Sequence, residues 1–484
     1  MNRGYRGVTF ATTGAAVDSL PDPVGRQLDV VYLSANQHHV VLGTAGTGKT
    51  TMAIHRAAHL ADPSTTNHGP VLLVTYNNAL VAYLRYISPG GASSITLETY
   101  GRFARGYLNH RGQMPQWNGI AQKNRLRGLI ATALVVARQP HPRSRVLDRD
   151  LGWFLDEIAW ISGMGIKTEA EYQAAKRVGR QTPLAVGDPR SAVWKVRDEY
   201  LRQRAGAGFR YDWQDIATAV RAELGTDIEP RRYRHVVIDE GQDLSPEALR
   251  SLTEIVQPGG SVTLFGDYHQ AIYGQGLSWR SAGLDLGSRP VERFRDNYRN
   301  TAAIANLAIA MSQTPAMASG DEDLVVPRLP VAAGPPPTLV RADNPTQEAV
   351  IVRTQAAEFA KDRSVAILAR TWALAQRAAS GLNYRKLEAE MHTWNPGPRI
   401  WVGPYHAAKG LEFDAVIMPY LNDDTVPWPD VVAAFAREEA DAREARLLYV
   451  ALTRARSELL MTYSGNLTPL LPTTPGLWSE VDPA

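Results

Sequence analysis

Gly43-Thr44-Ala45-Gly46-Thr47-Gly48-Lys49-Thr50 sets three glycines ahead of a lysine and a hydroxyl. Gly43, Gly46 and Gly48 let backbone N–H groups turn inward around a phosphate, and the Lys49 ammonium reaches the outer phosphoryl oxygens. Thr50 would put its hydroxyl on Mg²⁺, which makes this a nucleoside triphosphate cradle. A second constellation, Asp239-Glu240-Gly241-Gln242-Asp243, supplies acid chemistry. Asp239 would hold Mg²⁺ through water, and Glu240 would orient or deprotonate an attacking water.

Both groups need a strand to aim them and a helix to follow. The cradle lies between the apolar run HVVL and the helix-like TMAIHRAAHL, and the acidic group ends the run Val236-Val237-Ile238. A loop of this kind also gains the partial positive charge of the helix that it opens. Acidic residues at the C-terminal end of a strand sit at the crevice where α/β sheets bind ligands. Similar runs occur at His39–Leu42, Val71–Val74, Val262–Phe265, Val365–Leu368 and Val416–Met418. Strands alternating with helical patterns predict an α/β protein with parallel sheets, in two groups on either side of about residue 290. The Pro-rich stretch Pro327–Pro337 is expected as a loop within the second group.

The 484 residues carry 52 Lys/Arg against 49 Asp/Glu, a net charge of +3, with 44% hydrophobic residues. This composition is globular and leaves disordered and fibrous classes without support. No cysteine is present, so disulfides, thiolate-held zinc, iron–sulfur clusters and cysteine nucleophiles are excluded. The N-terminus lacks the apolar core of a signal peptide, so a cytoplasmic protein without a membrane partner is expected. Charge is unevenly spread: residues 109–210 hold 18 Lys/Arg and 9 Asp/Glu, a local +9 that leaves −6 for the remainder. That basic segment is the expected polyanion contact.

The ordered motifs resemble superfamily 1 helicases of the UvrD/Rep/PcrA type, from about Gln27 to Leu460. They are Gln27 itself, GTAGTGKTT (43–51), LLVTYNNALVAYL (72–84), LETYGRF (97–103), VVIDEGQDLSP (236–246), LFGDYHQAIY (264–273), NYRNT (297–301), YHAAKGLEFDAVIMP (405–419) and RLLYVALTRARSELL (446–460). The resemblance implies two RecA-like P-loop domains with parallel sheets and a mainly helical subdomain inserted in the first. The expected boundaries are 1–108 and 211–290 for the first domain, 109–210 for the insertion and 291–484 for the second domain.

It also implies roles. Gln27 would read adenine, Tyr298 would stack on it, and Thr51 would belong with Thr50 to the nucleotide-binding residues. Arg299 and Arg454 would act as arginine fingers from the second domain, Gln270 would sense the γ-phosphate, and Glu412 would contact the ribose or phosphate network. Thr75, Tyr76, Asn77, Thr99, Tyr100, Tyr273 and His406 would line a groove for single-stranded DNA. The implied activity is 3′ to 5′ translocation or unwinding driven by ATP and Mg²⁺.

Three departures stand out. Gly274-Gln275 follows Ile272-Tyr273 where relatives usually carry a base-stacking tryptophan, with Trp279 nearby. Pro404 replaces a usual threonine. Residues 371–399 offer only 29 positions for the accessory subdomain that relatives insert in the second domain, so that subdomain is expected to be absent or minimal. The 24 residues after Leu460 leave no room for a nuclease, so cleavage would come from a partner. A reading of another class is therefore an ATP-switched, DNA-sensing regulatory subunit of a nuclease complex, as in anti-phage systems such as Gabija. An RNA translocase is a third.

Overall fold

Runs of β-branched and aliphatic residues with no polar alternation are buried on both faces, and such strands assemble into parallel sheets covered by helices. The computed structural model describes residues 21–75, 78, 81–82, 85, 94–115, 119–271, 279–287, 289–317, 325, 328–330, 332–387 and 399–481. Among them are two parallel sheets. The first is built from β1 (His39–Gly43), β2 (Val71–Thr75), β3 (Ile95–Thr99), β6 (Tyr233–Ile238), β7 (Val256–Gly266) and β8 (Glu292–Phe294), in the order β3-β2-β6-β7-β1-β8. The intervening β4 (Ile120–Ala121) and β5 (Tyr211–Asp212) pair only with each other. The second sheet comprises β9 (Thr338–Ala342), β10 (Val365–Ala369), β11 (Arg385–Lys386), β12 (Ile400–Pro404), β13 (Phe413–Met418), β14 (Ala455–Ser464) and β15 (Ser479–Val481), in the order β11-β12-β10-β13-β14-β9-β15.

The strands expected from sequence are all present. The domain boundary needs a correction: β8 pairs with β1 through Phe294, so the first sheet passes the boundary drawn at residue 290. Its cause is that Glu292-Arg293-Phe294 is too short and too charged to read as a strand on its own. Each sheet has apolar clusters on its two faces. Val40, Leu72, Val236 and Leu264 belong to one side of the first sheet, and Val41, Leu73, Val237 and Phe265 to the other.

Residues between β4 and β5 form a helical body with its own core around Trp153, Phe154, Ile161, Val193 and Tyr200. Local signals explain its helix ends. Thr168 caps Glu169–Ala174 with a reciprocal capping box to Glu171, and Gly165 ends Leu151–Met164 in the left-handed conformation. The β4–β5 pair forms the stem that joins this body to the first sheet.

Its far side reaches the second domain. Glu439, on the helix Arg437–Leu452, is 1% exposed and accepts from Thr182 N at 2.7 Å, Thr182 Oγ1 at 2.6 Å and Gln181 N at 3.2 Å. Arg443 of the same helix forks onto Asp156, at 2.7 and 3.1 Å, and also donates to Glu439 at 2.8 Å. In the second domain, the stretch of 29 residues holds only the helix Trp372–Ala378 and β11 among its described residues.

Candidate active site between the two sheets

The phosphate loop leaves β1 at Gly43 and turns through Gly46 (φ 78°) and Gly48 (φ 80°), left-handed positions that suit glycine. Space also requires glycine: a Cβ on Gly48 would meet the Gln27 amide at 2.5 Å, and one on Gly46 would run into the Asn297 side chain. Lys49 opens the helix Lys49–Ala61 and donates to Gly43 O at 3.0 Å and Thr44 O at 2.7 Å, while standing 3.6 Å from Asp267 Oδ2. Burial lowers its pKa, against the pull of Asp267 and Glu240. Thr51 follows in the first turn, half-buried.

β6 delivers the acids. Thr50 Oγ1 donates to Asp239 Oδ2 at 2.9 Å, whereas Asp239 Oδ1 is buried without a hydrogen bond. Burial and the neighbouring Glu240 charge push the Asp239 carboxyl up. Burial would also raise Glu240, but Lys409, Lys49 and Arg454 overturn that and hold it below the usual range. Its backbone is left-handed at φ 56°, a costly conformation for a residue with a side chain. Gln242 fixes the carboxylate, donating to Glu240 Oε2 at 2.5 Å while its own Oε1 accepts from Asp267 N at 3.0 Å.

The second sheet supplies cations. Arg454 lies beyond the end of Arg437–Leu452, is 1% exposed, and donates to Gln270 Oε1 at 2.8 Å. Burial, then Arg299, lowers its pKa to about 10. Gln270 in turn donates to Asp267 Oδ2 at 2.7 Å, so the chain Lys49–Asp267–Gln270–Arg454 crosses from one domain to the other. Arg299 pairs with Glu412, which also accepts from Arg456 at 3.1 Å, and Arg299 Nε is buried without a hydrogen bond. Lys409, fully buried, pairs with Asp243, donates to Gln270 O and lies 3.9 Å from Glu240 Oε2.

Tyr298 N donates to Gly46 O at 2.8 Å, which holds the NYRNT turn against the phosphate loop and leaves the Tyr298 ring 58% exposed. Gln27 is spent locally, donating to Thr47 O at 3.0 Å and accepting from Val24 N at 2.9 Å.

Thr75 and Thr99 are register partners at the C-terminal ends of β2 and β3. Thr75 Oγ1 is buried without a partner, while Thr99 caps the following helix by accepting from Arg102 N. Tyr100 packs against the first-sheet core, with its hydroxyl bonded to Ser251 at 2.8 Å. His406 is half-buried, its pKa lowered to about 4 by burial, Arg370 and Lys123. Tyr76, Asn77 and Tyr273 lie outside the described residues. Trp279 is 8% exposed within the first-sheet core, so it does not replace the missing stacking residue.

Asp267, Gln242 and Lys409 escaped the sequence reading. Asp267 carries the signal that found Asp239, an apolar strand ending in an acid. Gln242 and Lys409 lie inside quoted motifs, yet nothing in their spacing shows that they converge.

A phosphate loop, an acid pair and arginines from a second parallel sheet define a two-domain P-loop ATPase. Residues 27–275 match the family described as AAA domain, and residues 382–466 match the UvrD-like helicase C-terminal domain. ATP-dependent DNA helicase UvrD2 of Mycobacterium tuberculosis is 24% identical over 546 residues, covering 89% of this chain and 77% of the relative. DNA helicase IV of Escherichia coli is 29% identical over 248 residues, covering 48% of this chain and 34% of its own. The chain belongs to the UvrD/Rep/PcrA-like superfamily 1 helicases and is an ATP-hydrolysing DNA helicase. Among the described residues, no helix is long and apolar enough to cross a membrane.

Proposed function

We propose that the chain is an ATP- and Mg²⁺-dependent motor that moves 3′ to 5′ on single-stranded DNA. The observation that carries this reading is the convergence of Arg299, Arg454 and Lys409, all from the second domain, on the Lys49–Glu240 site of the first. Hydrolysis is then competent only while the domains are closed.

Three buried atoms without hydrogen bonds, Asp239 Oδ1, Thr44 Oγ1 and Arg299 Nε, fit a nucleotide triphosphate with its cation. Thr50 and Asp239 would hold Mg²⁺, which supplies charge neutralisation between the phosphoryl oxygens when bound. Among the described residues no group of three His, Asp or Glu encloses a metal, so the ion's other ligands would be phosphate and water. Glu240, kept ionised by its cationic neighbours, accepts the proton of the attacking water at its carboxylate. Gln270 and Arg454 report the state of the phosphate end to the opposite domain, and the strand ends at Thr75 and Thr99 grip the DNA.

The test is ATP turnover with and without single-stranded DNA, alongside strand displacement on duplexes with 3′ or 5′ tails. DNA-stimulated turnover and preference for the 3′ tail are expected. Turnover indifferent to DNA, or preference for the 5′ tail, refutes the reading. Strand displacement by the chain alone also makes a nuclease partner unnecessary.

A further inference from the structure

A large aliphatic side chain gains free energy by leaving water, yet Ile228 is 97% exposed. Among the described residues no other large apolar side chain is as exposed, the next being Val135 at 69%. The loop that carries Ile228 is pinned on both sides. Asp227 Oδ1 accepts from Glu229 N at 3.0 Å, and its Oδ2 accepts from the Tyr107 hydroxyl at 2.7 Å. Arg231 donates to Leu224 O at 2.9 Å and to Glu254 O at 3.2 Å, and Pro230 stiffens the step between. A single exposed apolar residue is ordinary on a protein surface, but this one is fixed in place and has a cavity beside it.

Asp227 and Glu229, the neighbours of Ile228, line a cavity of about 360 Å³ between the helix Tyr100–His110, β3 and the start of β6. Phe103, Leu224, Tyr233 and Ile255 give it apolar walls. Gly106 lines it too, and a Cβ placed there would meet nothing within 4 Å. The rim carries both signs of charge. Glu98 and Glu229 lie on it with Arg232, whose guanidinium covers the Tyr233 ring at 5.3 Å, and with His110, 3.1 Å from Glu229. Arg102 stands 3.7 Å from Glu98, and Asp227 is balanced by Arg111 at 3.2 Å and Arg231 at 3.4 Å.

We propose that this face is a self-association surface, where Ile228 of one copy enters the cavity lined by Gly106 of a second copy, and the reverse. A nucleic acid calls for cations alone, whereas a patch of mixed sign, with an apolar knob next to an apolar hole, complements itself after a two-fold rotation. The rims then meet with the arginine of each copy facing the carboxylates of the other. Tyr233 opens β6 and Asp239 follows its far end, so pairing here leaves the ATP cleft uncovered. One side chain and a rim per copy make a contact at the small end of protein interfaces, so the association is reversible and concentration-dependent. The fixed loop lowers the entropy lost on pairing, since the isoleucine is ordered beforehand.

The full chain is sedimented over a concentration series that spans the micromolar range, as wild type, Ile228→Asp and Gly106→Leu. Aspartate removes the knob, and leucine, which suits a helix, fills the hole. A concentration-dependent dimer is expected for wild type, with self-association weaker by at least about tenfold in each variant, because both contacts of the pair are lost at once. Basal ATP turnover, which involves neither residue, should be unchanged and reports folding. The chain has no cysteine, so Ile228→Cys and Gly106→Cys supply one thiol each. Mixed and mildly oxidised, they should form a disulfide between unlike variants in preference to either like pair, since the bond needs Cα atoms within about 7 Å. Wild type that stays monomeric throughout overturns the proposal. So does a dimer that either variant leaves intact, or a disulfide confined to like pairs.

Discussion

Glu240 concentrates the site's chemistry in one strained residue, left-handed in backbone and ringed by Lys49, Lys409 and Arg454. Glu240→Gln keeps the shape and the bond to Gln242 but removes the proton acceptor. Steady-state ATP turnover should fall by about 10²–10⁴-fold, with nucleotide still bound in a fluorescent-nucleotide titration. Arg454→Ala removes a charge delivered from the opposite domain together with the bond to Gln270 Oε1. A loss of about 10³-fold in kcat, much larger than the change in KM, is expected from single-turnover and steady-state rates. Gln27 teaches a different lesson at this scale. Its amide could be picked out as an adenine reader by motif, but its bond to Thr47 O was not legible, because it depends on how residues 20 positions apart fold together.

Strand β6 carries a titration device besides its acids. His235 is fully buried, with Nε2 donating to Asn67 O at 2.7 Å and Nδ1 2.8 Å from the Ser261 hydroxyl, which can donate to a neutral ring. Burial lowers its pKa to about 4. The unfolded chain therefore binds the proton first, and stability is lost as pH falls from about 6.5 towards 4, with no effect above 6.5. Between pH 7 and pH 5 this one group should cost about 2 kcal/mol, so urea unfolding of His235→Gln should show a correspondingly smaller loss over that interval. Elements were legible where one signal sufficed: the runs before Gly43 and Asp239 are continuous and apolar, and the observed strands coincide with them. β8 was not, since three residues with two charges acquire strand geometry only by pairing with β1. Likewise, Trp279 and Trp213 look alike in sequence, and packing alone buries one and exposes the other.

At the scale of the whole molecule, the net charge of +3 conceals a basic insertion whose Arg125, Arg127, Arg143 and Arg145 are exposed. Reversing these four charges should weaken single-stranded DNA binding and flatten the plot of log affinity against log salt by about 3, measured by anisotropy. An unchanged slope would make this face an ordinary solvated surface. The same insertion is joined to the second domain through the buried Glu439. Glu439→Ala strands the Thr182 donors and loosens Arg443, and calorimetry should then resolve a separate, earlier transition for the insertion. The geometry has a mechanical corollary. The insertion is tied covalently to the first domain at the β4–β5 stem and non-covalently to the second at Glu439, so it spans the ATP cleft like a strap fastened on both banks. Any swing of the two sheets would then load the stem or the Glu439 anchorage, and so limit how far the two sheets can part.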